Sequence, residues 1–273
     1  TRMPFDGYLG PTVDTLDYLE KALDDPSSGV DAPAALIVET IQAEGGVNVG
    51  SIPWLRRLER IARSCGALLI VDDIQVGCGR TGPFFSFERA GLKPDIVCLS
   101  KSLSGYGLPL AVVLMRPELD VWKPGEHNGT FRGHNLAFVT AAAALETYWA
   151  DDELTRAVDR RATIVGAALG ALAAQFPAEV RGRGLIQGLL FQDPELASRA
   201  ARKAFERGLV IETAGPRDEV LKVLPPLTIS DEQLSRGLEI MSASVAATLA
   251  ESRRQTERPR SQPPARSTEV NAS

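Results

Sequence analysis

The sequence predicts an α/β fold built on a mainly parallel sheet. Three observations carry that prediction. Residues 34–40, 67–72, 95–99 and 110–115 are short runs, apolar without alternation, as strands covered on both faces must be. Between them lie helix-like or loop segments, and parallel strands need such crossovers because a tight turn cannot join them. At or just beyond their carboxyl ends the first three runs carry the ionisable residues Glu39, Asp72 and Lys101, and open α/β sheets hold ligands at that end of their strands.

Taken in order, residues 34–40 (AALIVET) form the first strand. Residues 53–65 (PWLRRLERIARSC) have helical spacing, with Trp54, Leu55, Leu58, Ile61, Ala62 and Cys65 on one face and arginines on the other. Gly66 stands in the place of a helix C-cap. Strands follow at 67–72, 95–99 and 110–115. Residues 135–149 predict a well-packed, alanine-rich helix, and 151–175 a longer one rich in Arg and Ala. The texture then changes. Residues 181–192, 206–213 and 222–229 read as short strands around one helix at 194–207, a smaller α+β unit. The expected organisation is a partial large domain over 1–150 and a small C-terminal domain over 151–250. Residues 251–273, polar and proline-containing, read as a disordered tail.

The formal net charge of -5 argues against nucleic acid as partner, since a general binder needs a basic field. No apolar run reaches the roughly 20 residues of a membrane span, and the N-terminus has no signal-peptide pattern. Cys65, Cys78 and Cys98 have no paired spacing, so neither a disulfide framework nor a metal site is expected, and cytoplasm is the default compartment. The chain begins with Thr rather than Met, as a fragment or processed product would.

The strand ends carry the chemistry. The first delivers Glu39, with Gln42 and Glu44 in the next turn; the second delivers Asp72, Asp73 and then Gln75; the third delivers Ser100 and Lys101. Spacing alone leaves this a ligand site of open type. A lone lysine after a strand is most often solvated. An Asp-Asp pair can cap a helix or hold magnesium, as in phosphoryl-transfer receiver folds, and Glu44-Gly45-Gly46 can be a plain turn. No GxxxxGK[ST] phosphate loop is present. By residue type the set suits pyridoxal phosphate, which needs a lysine for its aldehyde and a carboxylate beside its pyridine nitrogen.

VDDIQVGCGRTGPFF (71–85), PDIVCLSKSLSGYGLPLAVVL (94–114) and IVETIQAEGG (37–46) strongly resemble the class III aminotransferases of fold-type I, the pyridoxal-phosphate family. The resemblance covers about residues 1–230. PFDGYLGP, DTLDYLEKALDDPSSG, LDVWKPGEHNGTFRG and IETAGPRDEVLKVLPPLTI are similar to the branch of that family that serves ectoine synthesis. That branch interconverts L-2,4-diaminobutyrate plus 2-oxoglutarate with aspartate 4-semialdehyde plus L-glutamate. The resemblance implies a role for each matching residue. Lys101 matches the Schiff-base lysine that shuttles the proton, Asp72 the partner of the pyridine nitrogen, and Gln75 the residue near the 3-oxygen. Thr130 matches the threonine that reaches the cofactor phosphate of a neighbouring subunit, implying a homodimer. Glu44 matches the glutamate that pairs with a C-terminal arginine.

The chain departs from the family at that arginine, where Lys222 stands; a lysine cannot make the same bidentate fork on a carboxylate. His134 and Leu136 replace an expected Asn and Pro. His134 and His127 read as partly exposed loop residues, and Arg80 as ordering its own loop. The family's N-terminal phosphate cradle and stacking ring are not found before residue 34. The chain is therefore expected to be N-terminally truncated and, on its own, inactive. Three alternatives stay open: a sister enzyme acting on ornithine, acetylornithine or 4-aminobutyrate; a catalytically silent dimerisation module; and a phosphoacceptor or metal-binding domain using Asp72-Asp73.

Overall fold

The computed structural model describes residues 1–257. The chain opens with α1 (Thr15–Asp24) and β1 (Ala35–Glu39). A small hairpin of β2 (Ile41–Gln42) and β3 (Asn48–Val49) follows, then α2 (Ile52–Ser64), β4 (Leu68–Asp72), β5 (Ile96–Leu99) and β6 (Val112–Met115). These four longer strands lie in the order β1-β4-β5-β6. The first three are parallel and β6 runs antiparallel to β5, so the mainly parallel sheet expected from the apolar runs is present. Parallel register sets Glu39 beside Asp72 and Asp72 beside Cys98, which gathers the carboxyl ends of the strands at one edge.

α2 covers one face of this sheet. Its apolar stripe Trp54, Leu55, Leu58, Ile61 and Ala62 is buried with Leu69, Val71 and Val97. Ser51 caps it by accepting from the Trp54 N–H, the role hydroxyl side chains favour at a helix start. Trp54 donates its indole N–H to Thr15 Oγ1 at 2.9 Å, tying α1 to α2.

α3 (Asn135–Tyr148) and α4 (Glu153–Gln175) lead out of this sheet. β7 (Ala178–Arg183), β8 (Ile186–Phe191), α5 (Pro194–Glu206), β9 (Glu212–Ala214), β10 (Val220–Val223) and α6 (Asp231–Glu257) complete the described chain. The second sheet is antiparallel in the order β7-β8-β10-β9. α4, α5 and α6 pack on it around Val165, Leu169, Leu189, Phe191 and Met241. A third apolar cluster, including Ile41, Val47, Val76, Ile186 and Val220, joins the β2–β3 hairpin and the loop after β4 to the antiparallel sheet.

Four expectations need correction. Residues 181–192 are not one strand, because Gly182 and Gly184 take positive φ and fold β7 back on β8. Strand 222–229 ends at Val223, where Pro225 and Pro226 remove the ladder donors. α3 is not well packed: only Ala137 and Ala141 are buried, while Leu136, Val139 and Leu145 are exposed. The tail does not start at 251, since α6 continues through Glu257; the remainder of that segment lies outside the described residues.

Candidate active site

Lys101 follows β5 after one residue, Ser100, at the start of a short turn spanning Lys101–Ser104. Its φ is +50°, a region that costs a side-chain-bearing residue of order 1–2 kcal/mol. Strain of this kind persists where surrounding structure holds it. α3 backs the turn so closely that a Cβ added at Gly105 would lie 2.4 Å from the Ala144 methyl. The ammonium group is exposed and lines a cavity of about 670 Å³ together with Glu44, Gln75 and Glu212. It also borders a second cavity of about 600 Å³ beside Arg80, Phe84 and Trp149.

Asp72 ends β4, one strand over. Its Oδ1 accepts the Ile74 N–H at 3.1 Å. Its register neighbour Glu39 has its carboxyl pushed upward by burial and then by the Asp72 charge. Asp73 is buried. Its Oδ2 accepts the Ser86 N–H at 3.1 Å and its Oδ1 accepts the Ser86 hydroxyl. Ser86 Oγ in turn lies 2.5 Å from Thr40 Oγ1, and Arg183 of β7 donates to Thr40 Oγ1 and to the Ser86 carbonyl at 3.3 and 2.9 Å. Burial raises the Asp73 carboxyl to about 6, against the two Ser86 bonds and the Arg183 charge, which lower it. With both oxygens engaged by Ser86, Asp73 does not join Asp72 as an open pair of carboxylates for a cation.

The third group spans the two sheets. Lys222 of β10 has a fully buried side chain and donates from Nζ to Glu44 Oε1 at 2.7 Å. Gln75 Nε2 donates to the same oxygen at 2.9 Å. These two bonds, Lys222 first, hold the Glu44 carboxyl below its ordinary range. Glu212 of β9 lies directly opposite Lys222 in register, with its Oε2 3.2 Å from Nζ. The sequence reading missed Glu212. The signal that finds it is the cross-strand pairing of β9 with β10, which a strand placed at 206–213 does not give.

The chain thus brings Lys101, Gln75, Glu44 and Lys222 together beside the strand end that carries Asp72. Thr130 stands apart, in an exposed segment that lines neither cavity. His134 accepts the Ala137 N–H at 3.1 Å as the cap of α3, and His127 stacks on Trp122. Arg80 does more than order its own loop. Buried, it donates to the carbonyls of Leu185 and Pro225 at 3.2 and 2.5 Å, clamping the glycine-rich loop to the second sheet. Burial lowers its guanidinium to about 10.

The donor set fits pyridoxal phosphate. An amine at one strand end can meet an aldehyde, and a carboxylate at the next can meet a pyridine nitrogen. Gln75 Oε1 is buried and without a hydrogen-bond partner among the described residues, leaving an acceptor for a ligand that brings its own hydroxyl. Among the described residues no three His, Cys, Asp or Glu side chains cluster as metal ligands.

A parallel sheet with a lysine and a carboxylate at neighbouring strand ends, closed over by an antiparallel sheet, places the chain among the fold-type I enzymes of pyridoxal phosphate. Residues 15–245 match the model of the aminotransferase class-III family, and the chain belongs to that family. It is 64% identical over 255 residues to a diaminobutyrate–2-oxoglutarate transaminase from Bordetella parapertussis, covering 92% of this chain and 59% of that protein. A protein of the same name from Halomonas elongata is 60% identical over 247 residues, covering 89% of this chain and 59% of its own length. Among solved structures, the ornithine aminotransferase of Toxoplasma gondii superposes with a TM-score of 0.78 at 35% identity, over 87% of this chain and 56% of its own. The N-acetylornithine aminotransferase of Stenotrophomonas maltophilia gives 0.70 at 33% identity, over 80% and 57%. The chain therefore spans less than two thirds of the length of these relatives.

Proposed function

We propose that the protein carrying this chain is a pyridoxal-phosphate aminotransferase of ectoine synthesis that transfers the 4-amino group between L-2,4-diaminobutyrate and 2-oxoglutarate, interconverting them with aspartate 4-semialdehyde and L-glutamate. The observation that carries the reading is the strand-end pair of Lys101 and Asp72, with Glu44, Gln75 and Lys222 on the same side. Relatives at 52–64% identity that bear the diaminobutyrate transaminase name support the choice of substrate.

When bound, the cofactor supplies an electron sink that makes a substrate C–H acidic. The chain's residues do the rest. Asp72 holds the proton on the pyridine nitrogen. Lys101 receives the cofactor aldehyde and moves the proton at the substrate carbon; its fixed turn gives the positioning from which such chemistry gains most. Gln75 meets the 3-oxygen. Lys222 takes a substrate carboxylate once Glu44 yields it, and as a single ammonium it does so without the fork of an arginine. Thr130 serves the cofactor phosphate of the second subunit of a homodimer. The proposed compartment is the cytoplasm; among the described residues no helix is long and apolar enough to cross a membrane.

Borohydride reduction of the protein from its native source, followed by peptide mapping, tests the site: a pyridoxyl adduct is expected on Lys101 and on no other lysine. A donor panel tests the substrate. Turnover of ornithine with none of diaminobutyrate overturns the choice, and a Lys101→Ala protein that keeps full activity overturns the reading altogether.

A further inference from the structure

Lys222 is one buried cation set between two carboxylates, Glu44 at 2.7 Å and Glu212 at 3.2 Å. The two carboxylates are not equivalent. Glu44 also receives Gln75. Glu212 meets no donor or cation other than Lys222 among the described residues, and its side chain is 65% exposed. A carboxylate has about four acceptor positions, so most of Glu212's remain open. It lines the same cavity as Lys101. Lysine, glutamate and glutamate together leave this end of the cavity one negative charge in surplus, and among the described residues the only other ionised group lining the cavity is Lys101 itself, the residue that engages the cofactor.

That surplus has a chemical complement. A diamino acid brings two ammonium groups: one reacts at Lys101 and the other is a spectator that still needs a counter-charge. Glutamate and 4-aminobutyrate bring no spectator ammonium. We propose that Glu212 is a specificity-determining residue that receives the non-reacting ammonium of a diamino acid, so that the cavity prefers such donors to monoamines of the same length. The inference rests on the aminotransferase reading above and extends it to a residue outside the lysine–aspartate–glutamine set. It also gives Lys222 a reason to be a lysine. Its single charge is largely spent on Glu44, which leaves Glu212 free for substrate, whereas a forked guanidinium would engage both carboxylates.

The test uses the full-length protein with cofactor, as wild type, Glu212→Gln and Glu212→Asp. Single-turnover amine half-reactions are followed with L-2,4-diaminobutyrate, 4-aminobutyrate and L-glutamate. For Glu212→Gln, kcat/KM for diaminobutyrate is expected to fall at least about tenfold, mostly through KM, because a site built to pair a charged group discriminates strongly once that pairing is lost. The values for 4-aminobutyrate and glutamate are expected to stay within about threefold, and Glu212→Asp to recover part of the loss. Calorimetric binding of diaminobutyrate to Lys101→Ala protein, with and without Glu212→Gln, should show the same loss with no turnover. Equal losses on all three donors, or none on diaminobutyrate, overturn the proposal. The wild-type values alone judge the substrate reading: if ornithine rather than diaminobutyrate is the donor, the ratio of variant to wild type on ornithine, also a diamino acid, judges Glu212 in its place.

Discussion

Asp73 shows how much one side chain beside the cofactor end of the sheet costs. Burial lifts its carboxyl from 3.8 to about 6, so between those values the folded chain holds a proton that the unfolded chain has already released. Stability contributed by this group is therefore present in acid and lost as pH rises through about 6, worth about 3 kcal/mol across the window. Urea unfolding of wild type and Asp73→Asn from pH 4 to pH 7 checks the sign: the wild type should lose about 2.4 kcal/mol relative to the variant on going to pH 7, and a pH-independent difference refutes it. What offsets that cost is the chain from Asp73 through Ser86 and Thr40 to Arg183, which joins the strand ends of one sheet to the hairpin of the other. The sequence made Asp72, Gln75 and Lys101 legible because each ends a strand or follows one within a few residues. It did not make Glu212 or the Arg183 link legible, since both depend on pairings over distances that only folding sets.

Elements were legible where burial on both faces leaves an unbroken apolar run, as in β1, β4 and β5, and where a stripe at helical spacing meets a cap, as in α2. They were misread where a glycine decides the path. At Gly184, between β7 and β8, φ is +60° and an added Cβ would lie 2.4 Å from the Arg80 carbonyl oxygen and 2.5 Å from the Thr81 Cα. That close approach lets the Leu185 N–H reach the Arg80 carbonyl at 2.8 Å and lets the Arg80 guanidinium reach Leu185 and Pro225. Gly184→Ala is expected to cost about 2–4 kcal/mol, since backbone on both sides must move and the residue must stay in a left-handed turn. Thermal unfolding measures this, and a variant that melts within about 1 °C of wild type would show that the hairpin and the glycine-rich loop are not joined as described.

At the scale of the whole molecule, exposure of apolar side chains carries the argument. Ile37 on β1, Leu114 on β6, Phe131, and Leu136, Val139 and Leu145 on α3 all face outward, Phe131 at 98%. Exposed apolar side chains in this number mark surface that a partner or the rest of the full-length chain covers, and Phe131 and the residues of α3 lie close to Thr130 in the sequence. The chain spans 59% of the length of the diaminobutyrate transaminases it matches, so the test belongs to the full-length protein. In the proposed homodimer each site takes Lys101 from one subunit and Thr130 from the other. Lys101→Ala protein is then dead, and Thr130→Val protein binds cofactor weakly at both its sites. Mixing the two under subunit exchange should restore activity above the sum of the parts. A hybrid dimer pairs the intact Lys101 of one chain with the intact Thr130 of its partner, giving one complete site in two. If Thr130 instead serves its own chain, every site in the hybrid carries one defect or the other and mixing restores nothing. The mixing experiment thus reads, from activity alone, whether the exposed segment is shared between subunits or turned back on its own cavity.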